Sequence, residues 1–401
     1  MDSKPAQEKL KTDFFSFIEK INQFADYITN KKYWKISASL ALVLMSYMLS
    51  FPDYNHQEAE QEVIDNFLSW QFEHPFEKYP YIDQSISDVN NSGLVSHLNK
   101  RWIRLTVPMI SKALHLTPPM WLFIMPAMSV VFMLLLLSTF EQLLKDKRNA
   151  LLAGFGFAFT FQVHWFFFDD KCYDCIAWTL LLIAFYYKRN PFVFIFVALL
   201  ALYTDERAGL GLAMIQLYNY YTLNEGRLFP IINIKKAVFN TTLYFLVPVL
   251  LYLSGRWLLL HYTTLVAGYT SVGLNVFLYN YKFIPASFWV NWEGVSLLFL
   301  LACWIIKNTE NKLVFFFFLM TILAIHLSCF IVYDISRSIG YYYPLIFLSL
   351  YILHQHLDYK KLNMVLIVTS FISFVVPSHV VKIDGIYWLS PAFPKIMKLL
   401  M

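Results

Sequence analysis

Charged side chains are scarce in this chain of 401 residues. Asp, Glu, Lys and Arg make up 15% of it, whereas a soluble domain carries about a quarter. Hydrophobic residues reach 58% and aromatic residues 19%, which is more apolar surface than a water-soluble fold could hide. The scarcity of charge therefore excludes an ordinary soluble protein and predicts a membrane protein.

Cysteine is also rare, and its four positions lie in or beside apolar segments, so we expect no disulfide framework. Cys172 and Cys175 form a C-x-x-C pair, but it lacks a βαβ context and a second Cys or His pair. A redox or zinc site is therefore not expected there. The net charge of +5 follows the sides of a membrane and does not indicate binding of nucleic acid.

Several motifs of soluble enzymes are absent from the sequence. It contains no Walker A loop, no G-x-G-x-x-G after a strand, no G-x-S-x-G elbow and no H-E-x-x-H pair. We also find no internal repeat and no low-complexity tract, and we expect no cleavable signal peptide. Any chemistry must therefore come from residues that lie far apart along the chain.

What the sequence does contain is a series of apolar runs of roughly 20 residues, separated by short polar segments. They predict an all-α polytopic membrane protein of about eleven transmembrane helices with a cytosolic N-terminus, because the turns then assigned to the cytosol are basic or neutral. The predicted spans lie near residues 35–51, 118–144, 149–168, 173–187, 191–204, 208–222, 238–257, 287–306, 313–332, 341–356 and 362–377. We divide the chain into a cytosolic amphipathic segment (1–34), a transmembrane domain (35–377) and an outer tail (378–401).

The first outer loop, residues 52–116, is long and carries two amphipathic patterns. In "HQEAEQEVIDNFLSWQF" the residues Val63, Phe67 and Leu68 recur at helical spacing. The second pattern, "HLNKRWIRLTVPMISKALHL", alternates apolar and basic residues, and we expect Pro108 to kink or split it. Two such helices between spans are predicted to lie in the plane of the outer membrane surface.

Three aspartates crowd the predicted hairpin tip "VHWFFFDDKCYDC": Asp169, Asp170 and Asp174, with His164 one turn earlier. Carboxylates near membrane depth are costly, and like charges this close raise one another's pKa or recruit a cation. The alternative is that they only mark the water boundary.

Further candidates lie at other predicted outer ends. "ALYTDERAGL" places Glu206 and Arg207 in a short turn, where they either form an internal ion pair or face a ligand. Asp53 follows Pro52 just beyond the first span and is held near the membrane surface.

Arginines at the outer face could bind a phosphate diester, because the planar guanidinium donates hydrogen bonds in pairs. Arg337 lies in "SRSIGYYYP" together with Tyr343, and Arg101 and Arg104 lie in "NKRWIR". Surface charge and an ordinary interfacial belt of tyrosines are the alternatives.

This arrangement resembles the GT-C class of membrane glycosyltransferases over nearly the whole chain. The shared features are a cytosolic N-terminus, a long first outer loop with two interfacial helices, an acidic residue soon after the first span and a second acidic motif between spans three and four. "SRSIGYYYP" looks like the Arg-Tyr-to-Pro segment that many members place ahead of a late span. "NKRWIRLTVPMI" looks like a segment of bacterial members.

The resemblance implies transfer of a sugar from a polyprenyl-phosphate donor to a lipid, glycan or protein acceptor on the non-cytosolic face. We expect the inner membrane of a bacterium as the location, because no eukaryotic retention or sorting signal is apparent in the sequence. It implies Asp53 as the base, Asp169 or Asp170 as an acceptor-positioning acid or as a ligand of Mg²⁺ or Mn²⁺, and Arg337 with Arg207 at the phosphate. The remaining binding candidates are Glu206, Arg101, Arg104, Tyr343 and His164. The alternatives are a transporter or flippase of a lipid-linked or anionic substrate and a non-catalytic scaffold of an envelope complex.

Overall fold

The structure is a computed structural model that describes most of the chain. The described residues are 4–50, 58–77, 103–169, 174–223, 236–263, 273–289, 292–310, 312–332, 334–382 and 385–389. Most of them are helical, as the apolar runs predict, so the all-α fold class is confirmed at this level. Asp53, Asp170 and Arg101 lie outside the described residues, as does the side chain of Asp169.

The helices follow the predicted segments closely. In chain order they are α1 (Lys4–Thr29), α2 (Trp34–Ser50), α3 (Glu58–Glu73), α4 (Thr106–Leu114), α5 (Pro118–Leu144), α6 (Lys147–Ala158), α7 (Phe161–His164), α8 (Asp174–Tyr186), α9 (Pro191–Thr204), α10 (Ala208–Leu223), α11 (Lys236–Tyr262), α12 (Leu274–Asn280), α13 (Ile284–Ser287), α14 (Ser296–Thr309), α15 (Lys312–Ser328), α16 (Ile335–Gly340), α17 (Tyr343–His356) and α18 (Tyr359–Val375). A π-helical turn, Trp165–Asp169, continues α7. A helix therefore overlaps each of the eleven predicted spans.

The number of helices long enough to cross a membrane is smaller than eleven. In the described part of the chain three meet that requirement by length and composition: Pro118–Leu144, Thr242–Tyr262 and Lys312–Ile331. A fourth arises if Lys147–Ala158 and Phe161–Phe168, which are bent by 71° at a short break, count as one span. Short helices such as α8 and α9 account for the difference, since about 20 residues are needed to cross the hydrocarbon core.

The core is built around aromatic side chains on α8 and its neighbours. Trp178 is fully buried and stacks on Trp292 with ring centroids 5.7 Å apart and planes 6° apart. Phe166 meets the Trp178 ring edge to face at 4.4 Å, and Tyr343 lies 4.7 Å from it. Large flat rings bury much apolar area per residue, and offset or T-shaped pairs add to the stability. This core fixes the start of α8, where Asp174 lies.

Both amphipathic patterns of the first loop give helices, α3 and α4. Phe67, Leu68 and Phe72 on α3 are buried, as the helical spacing requires. Pro108 lies in the first turn of α4, where the missing N–H has no intrahelical partner to lose. Residues 97–102 of the second pattern lie outside the described residues, so the expected kink or split of the whole pattern stays a prediction.

The described tail is the exception to the helical fold. Strands β1 (Ser378–Lys382) and β2 (Gly385–Leu389) form an antiparallel hairpin in which Val380 faces Tyr387. The Oγ of Ser336 on α16 accepts a hydrogen bond from the Val381 N–H at 2.7 Å and donates to the Val381 carbonyl at 3.2 Å. The hairpin therefore holds the helix that carries Arg337.

Candidate functional site: a buried charge cluster beside an apolar groove

Three arginines and four acidic residues meet where several helices begin or end. We call this group the charge cluster; its members are Arg104, Asp174, Asp205, Glu206, Arg207, Asp334 and Arg337. They come from the segment just before α4, the first turn of α8, the turn between α9 and α10, and the start of α16. Residues up to 233 positions apart in the chain, Arg104 and Arg337, are thereby brought to one place.

Asp174 lies at the centre of the charge cluster and is fully buried. Its Oδ1 accepts from Arg207 Nη2 at 2.9 Å and from the Tyr341 hydroxyl at 2.8 Å. Its Oδ2 accepts from Arg337 Nε at 2.7 Å and also from Arg337 Nη2. A buried carboxylate needs this degree of pairing, because an unpaired charge in a low-dielectric interior is very costly.

Asp205 is the second fully buried carboxylate, and it binds two arginines. Arg207 donates to it from its backbone N–H at 2.9 Å, from Nε at 2.9 Å and from Nη2 at 2.6 Å. Arg104 Nη2 approaches Asp205 Oδ2 to 3.0 Å. The Thr106 hydroxyl donates to the Leu200 carbonyl at 2.7 Å and so fixes the start of α4, next to Arg104, against α9.

The other two acids lie at the edge of the charge cluster. Side-chain exposure is 43% for Glu206 and 35% for Asp334, against 0% for Asp174 and Asp205. Glu206 Oε2 is 3.6 Å from Arg104 Nε, and Asp334 Oδ2 is 3.2 Å from Arg337 Nη1. These two carboxylates are the ones that an incoming molecule could reach.

The carboxylates also secure the charge of the arginines. Burial by itself lowers the pKa of the Arg104 guanidinium, but the attraction of Asp205 and Glu206 outweighs burial and raises that pKa above its ordinary value. Burial likewise lowers the pKa of Arg207, and Asp205 and Asp174 more than restore it. The three guanidiniums and four carboxylates leave the charge cluster close to neutral, with a slight excess of negative charge.

A groove of about 790 Å³ opens beside the charge cluster. Its lining residues come from α4, the end of α9 and the end of α11: Leu105, Thr106, Met109, Ile110, Ala113, Leu200, Tyr203, Gly255, Leu258, Leu259, Tyr262 and Thr263. Leu105 is the chain neighbour of Arg104, and Tyr203 is two residues from Asp205. Its volume is that of a small-molecule site, about 300–1,000 Å³, and its lining is almost wholly apolar.

The structure brings together some of the residues singled out from the sequence. Arg104, Glu206, Arg207 and Arg337 all belong to the charge cluster. Tyr343 does not reach it: its hydroxyl donates to the Trp178 carbonyl at 2.8 Å inside the aromatic core, a position that does not support a role in binding substrate.

His164, another candidate from the sequence, contacts the backbone of α6. Its Nε2 is 3.1 Å from the Ala158 carbonyl, at the break between α6 and α7. Within the described residues no group of three His, Cys, Asp or Glu side chains is arranged to hold a metal ion. The oxygens of Asp174 are already occupied by Arg207, Arg337 and Tyr341, so the described cluster does not fit a cation.

Two acids of the charge cluster, Asp205 and Asp334, and the tyrosine that donates to Asp174, Tyr341, were not selected from the sequence as binding or catalytic residues. Asp174 was considered there only as one of the three aspartates of the predicted hairpin tip. Each of these residues lies within a few residues of a helix end and close in the chain to a residue that was selected. Their position at a helix end could have identified them, because a charge at the end of an apolar helix needs a partner, which the ends of neighbouring helices can supply.

Comparisons of the chain with protein-family models, with curated proteins and with solved structures found no match. Inferences about function therefore rest on the charge cluster, the groove and the sequence.

Proposed function

We propose that this chain is a membrane glycosyltransferase that moves a sugar from a polyprenyl-phosphate donor to a lipid, glycan or protein acceptor. The observation that carries the proposal is the charge cluster lying beside an apolar groove. Transfer from a lipid-linked phosphate needs both: a groove for the isoprenoid chain, and acids and cations at its end for the reacting groups.

The proposal includes the membrane arrangement expected from the sequence. Eleven spans with a cytosolic N-terminus would put the charge cluster, the groove and the loop of residues 52–116 on the non-cytosolic face. The overlap of a helix with each predicted span supports this arrangement. In it the segments Lys147–Ala158 and Phe161–Phe168, which are bent by 71° at a short break, would form one broken span. We further propose the inner membrane of a bacterium as the location.

In the proposed reaction the bond between the sugar C1 and the phosphate oxygen breaks, and a bond between C1 and the acceptor oxygen forms. A carboxylate takes the proton of the acceptor hydroxyl. The bonding electrons of the broken bond leave with the polyprenyl phosphate, and nearby guanidiniums stabilise that negative charge. No oxidant, reductant or further reactant is needed.

Asp53 is our proposed base, and Asp169 and Asp170 are proposed to position the acceptor or to hold Mg²⁺ or Mn²⁺. Glu206 and Asp334 are proposed to contact the acceptor, because they are the exposed acids of the charge cluster. Arg207 and Arg337 are proposed to stabilise the charge that develops on the leaving phosphate. Arg101 remains a further candidate for contact with the phosphate.

The proposal is tested with full-length protein in lipid nanodiscs and a panel of undecaprenyl-phosphate sugars. We expect release of undecaprenyl phosphate from at least one donor when acceptor lipid extract is present. Asp53→Asn should reduce the rate at least about a hundredfold, the effect typical of removing a general base. Asp26→Asn, the same chemical change on α1, should leave the rate unchanged.

Two results would count against the proposal. One is the absence of release from every donor by protein that is folded and binds prenyl phosphate. The other is a full rate in Asp53→Asn together with Asp169→Asn and Asp170→Asn, because the proposed acids would then be boundary markers only.

A flippase or transporter of a lipid-linked substrate is the second candidate, and the bent pair α6–α7 favours it. Broken helices form substrate sites in many transporters. Undecaprenyl-phosphate sugar that is moved across a liposome bilayer by this protein, with no breakage of the sugar–phosphate bond, would support this candidate over the transferase.

A further inference from the structure

Arg256 is the only Asp, Glu, Lys or Arg in the apolar helical stretch Thr242–Tyr262. Only a small part of this stretch is buried inside the protein, and its neighbours Leu253 and Trp257 are well exposed. An arginine in such a surrounding is costly unless it has a specific partner.

The partner of Arg256 within the described residues is a tyrosine and not an acid. Arg256 Nη1 donates to the Tyr252 hydroxyl at 3.0 Å, and no carboxylate of the described chain pairs with the guanidinium. This distinguishes Arg256 from the arginines of the charge cluster, each of which binds at least one carboxylate. The remaining N–H groups of Arg256 are suited to a fixed anion.

Arg256 is the chain neighbour of one groove-lining residue and contacts a tyrosine that packs on another. It follows Gly255, whose backbone lines the groove, and Thr263, another lining residue, comes two helical turns later. Tyr203, also a lining residue, packs on Tyr252 with ring centroids 5.0 Å apart. Tyr252 in turn lies within electrostatic range of both Arg256 and Glu206.

We infer that the groove binds the apolar chain of a single-chain lipid phosphate and that Arg256 is the ligand of its phosphate. An apolar groove with a nearby guanidinium that no carboxylate of the described residues pairs with complements a ligand with a long hydrocarbon chain and a single anionic head. The charge cluster itself is a poor place for a resting phosphate, because its arginines are already neutralised by carboxylates.

This inference rests on the proposed function for its choice of an isoprenoid chain, and it deepens that proposal by naming the residue that holds the lipid phosphate before transfer. A bilayer phospholipid, a neutral lipid and free inorganic phosphate are the other occupants. A groove that takes a phospholipid of the nanodisc would bind no farnesyl phosphate above background, and the other two would show in the competition with farnesol and with phosphate.

The experiment measures equilibrium binding of radiolabelled farnesyl phosphate to full-length protein in nanodiscs, with empty nanodiscs as background. We expect unlabelled farnesyl phosphate to compete at least about tenfold better than farnesol, and inorganic phosphate not to compete. Arg256→Gln should weaken binding by about tenfold or more, and Arg256→Lys should weaken it less, because lysine keeps the charge but loses the planar fork.

Two further variants distinguish binding of the ligand's hydrocarbon chain from binding of its phosphate. Ala113→Trp, at an exposed lining position, should fill the groove and weaken binding of farnesyl phosphate and farnesol alike. Arg148→Gln, which removes an arginine from the start of α6, should bind as the wild type does.

The inference is overturned if farnesol competes as well as farnesyl phosphate, if inorganic phosphate competes, or if Arg256→Gln binds normally. It is likewise overturned if Ala113→Trp binds normally while Arg256→Gln does not, since the anion site would then lie outside the groove. Binding is measured without acceptor or sugar, so protein that binds farnesyl phosphate through Arg256 but never transfers a sugar would refute the transferase and keep the inference.

Discussion

Ion pairs lie at both ends of the helices α6 to α9, and the pairs at one end are far more buried than those at the other. At the end where α8 starts and α9 stops, the side chains of Asp174 and Asp205 are 0% exposed and those of their arginine partners 9–14%. At the opposite end, where α6 starts, Arg148 pairs with Asp26 of α1, and the two side chains are 25% and 40% exposed. Lys35 and Glu141 form a similar half-exposed pair.

The difference in burial implies that the two sets of ion pairs contribute differently to stability. Exposed pairs cost little to form and contribute little, about 0–1 kcal/mol each. A buried network is expensive to assemble, and replacing it with apolar residues is often neutral or stabilising. Stability alone therefore does not explain why three arginines and two fully buried aspartates meet at one end, and this is the reason for proposing a functional site there.

The largest effect is expected for Asp174→Asn. The amide keeps the shape of the side chain but removes the charge that holds Arg207 and Arg337, and its NH₂ group faces guanidinium donors. Removing one charged partner from a buried ionic network lowers the stability by about 3–5 kcal/mol. Unfolding in mixed micelles, followed by circular dichroism, should show this loss in the free energy of unfolding.

Asp26→Asn is the matched control, because it makes the same chemical change in the exposed pair. We expect it to lower the free energy of unfolding by at most about 1 kcal/mol. If the two variants lose the same free energy of unfolding, the buried and the exposed ion pairs are energetically alike. The argument for a functional site at the buried end would then weaken.

A smaller effect is expected for Tyr341→Phe, which removes the hydroxyl that donates to Asp174. Hydrogen bonds to charged groups contribute about 1.5–3 kcal/mol, whereas those between neutral groups contribute about 0.5–1.5 kcal/mol. Tyr343→Phe is the natural comparison, since its hydroxyl donates to a neutral carbonyl, that of Trp178, at the same 2.8 Å.

Thermal unfolding of the two tyrosine variants side by side measures this difference. Tyr341→Phe should be the less stable protein and should also lose transfer activity, while Tyr343→Phe should keep it. An equal loss of stability would mean that Asp174 does not depend on its tyrosine donor.

The helices were predictable from the sequence because local patterns decide them. The apolar runs predicted segments that the structure confirms as helices, and the side chains of Asn190 and Asp358 cap two of them. The eleven spans were not confirmed in the same way, because an apolar run shows that a segment is buried or in lipid but not that it crosses the membrane.

The charge cluster was only partly predictable. The turn at Asp205 and Arg207 was recognised as either an ion pair or a ligand site, and the structure contains the ion pair. The partnership of Asp174 with Arg337 spans 163 residues, and no local pattern encodes it, since it depends on which helix ends meet. The sequence pointed to the right helix ends, but tertiary packing selected the residues.

The smallest effect is expected for Arg148→Gln at the exposed end. Arg148 donates from Nε to Asp26 at 2.6 Å and makes a second contact from Nη2, and its guanidinium lies 5.7 Å from the Tyr359 ring. Because both partners are partly exposed, we expect a loss of at most about 1 kcal/mol in the free energy of unfolding.

The stability loss of Arg148→Gln should shrink at about 1 M salt, where the Debye length falls to about 3 Å. The deficit of Asp174→Asn should be nearly independent of salt, because buried charges are screened much less. If the stability loss of Arg148→Gln did not depend on salt, the pair that holds α1 would be shielded from solvent as well as the charge cluster is. The ion pairs at the two ends would then be alike in their screening by salt.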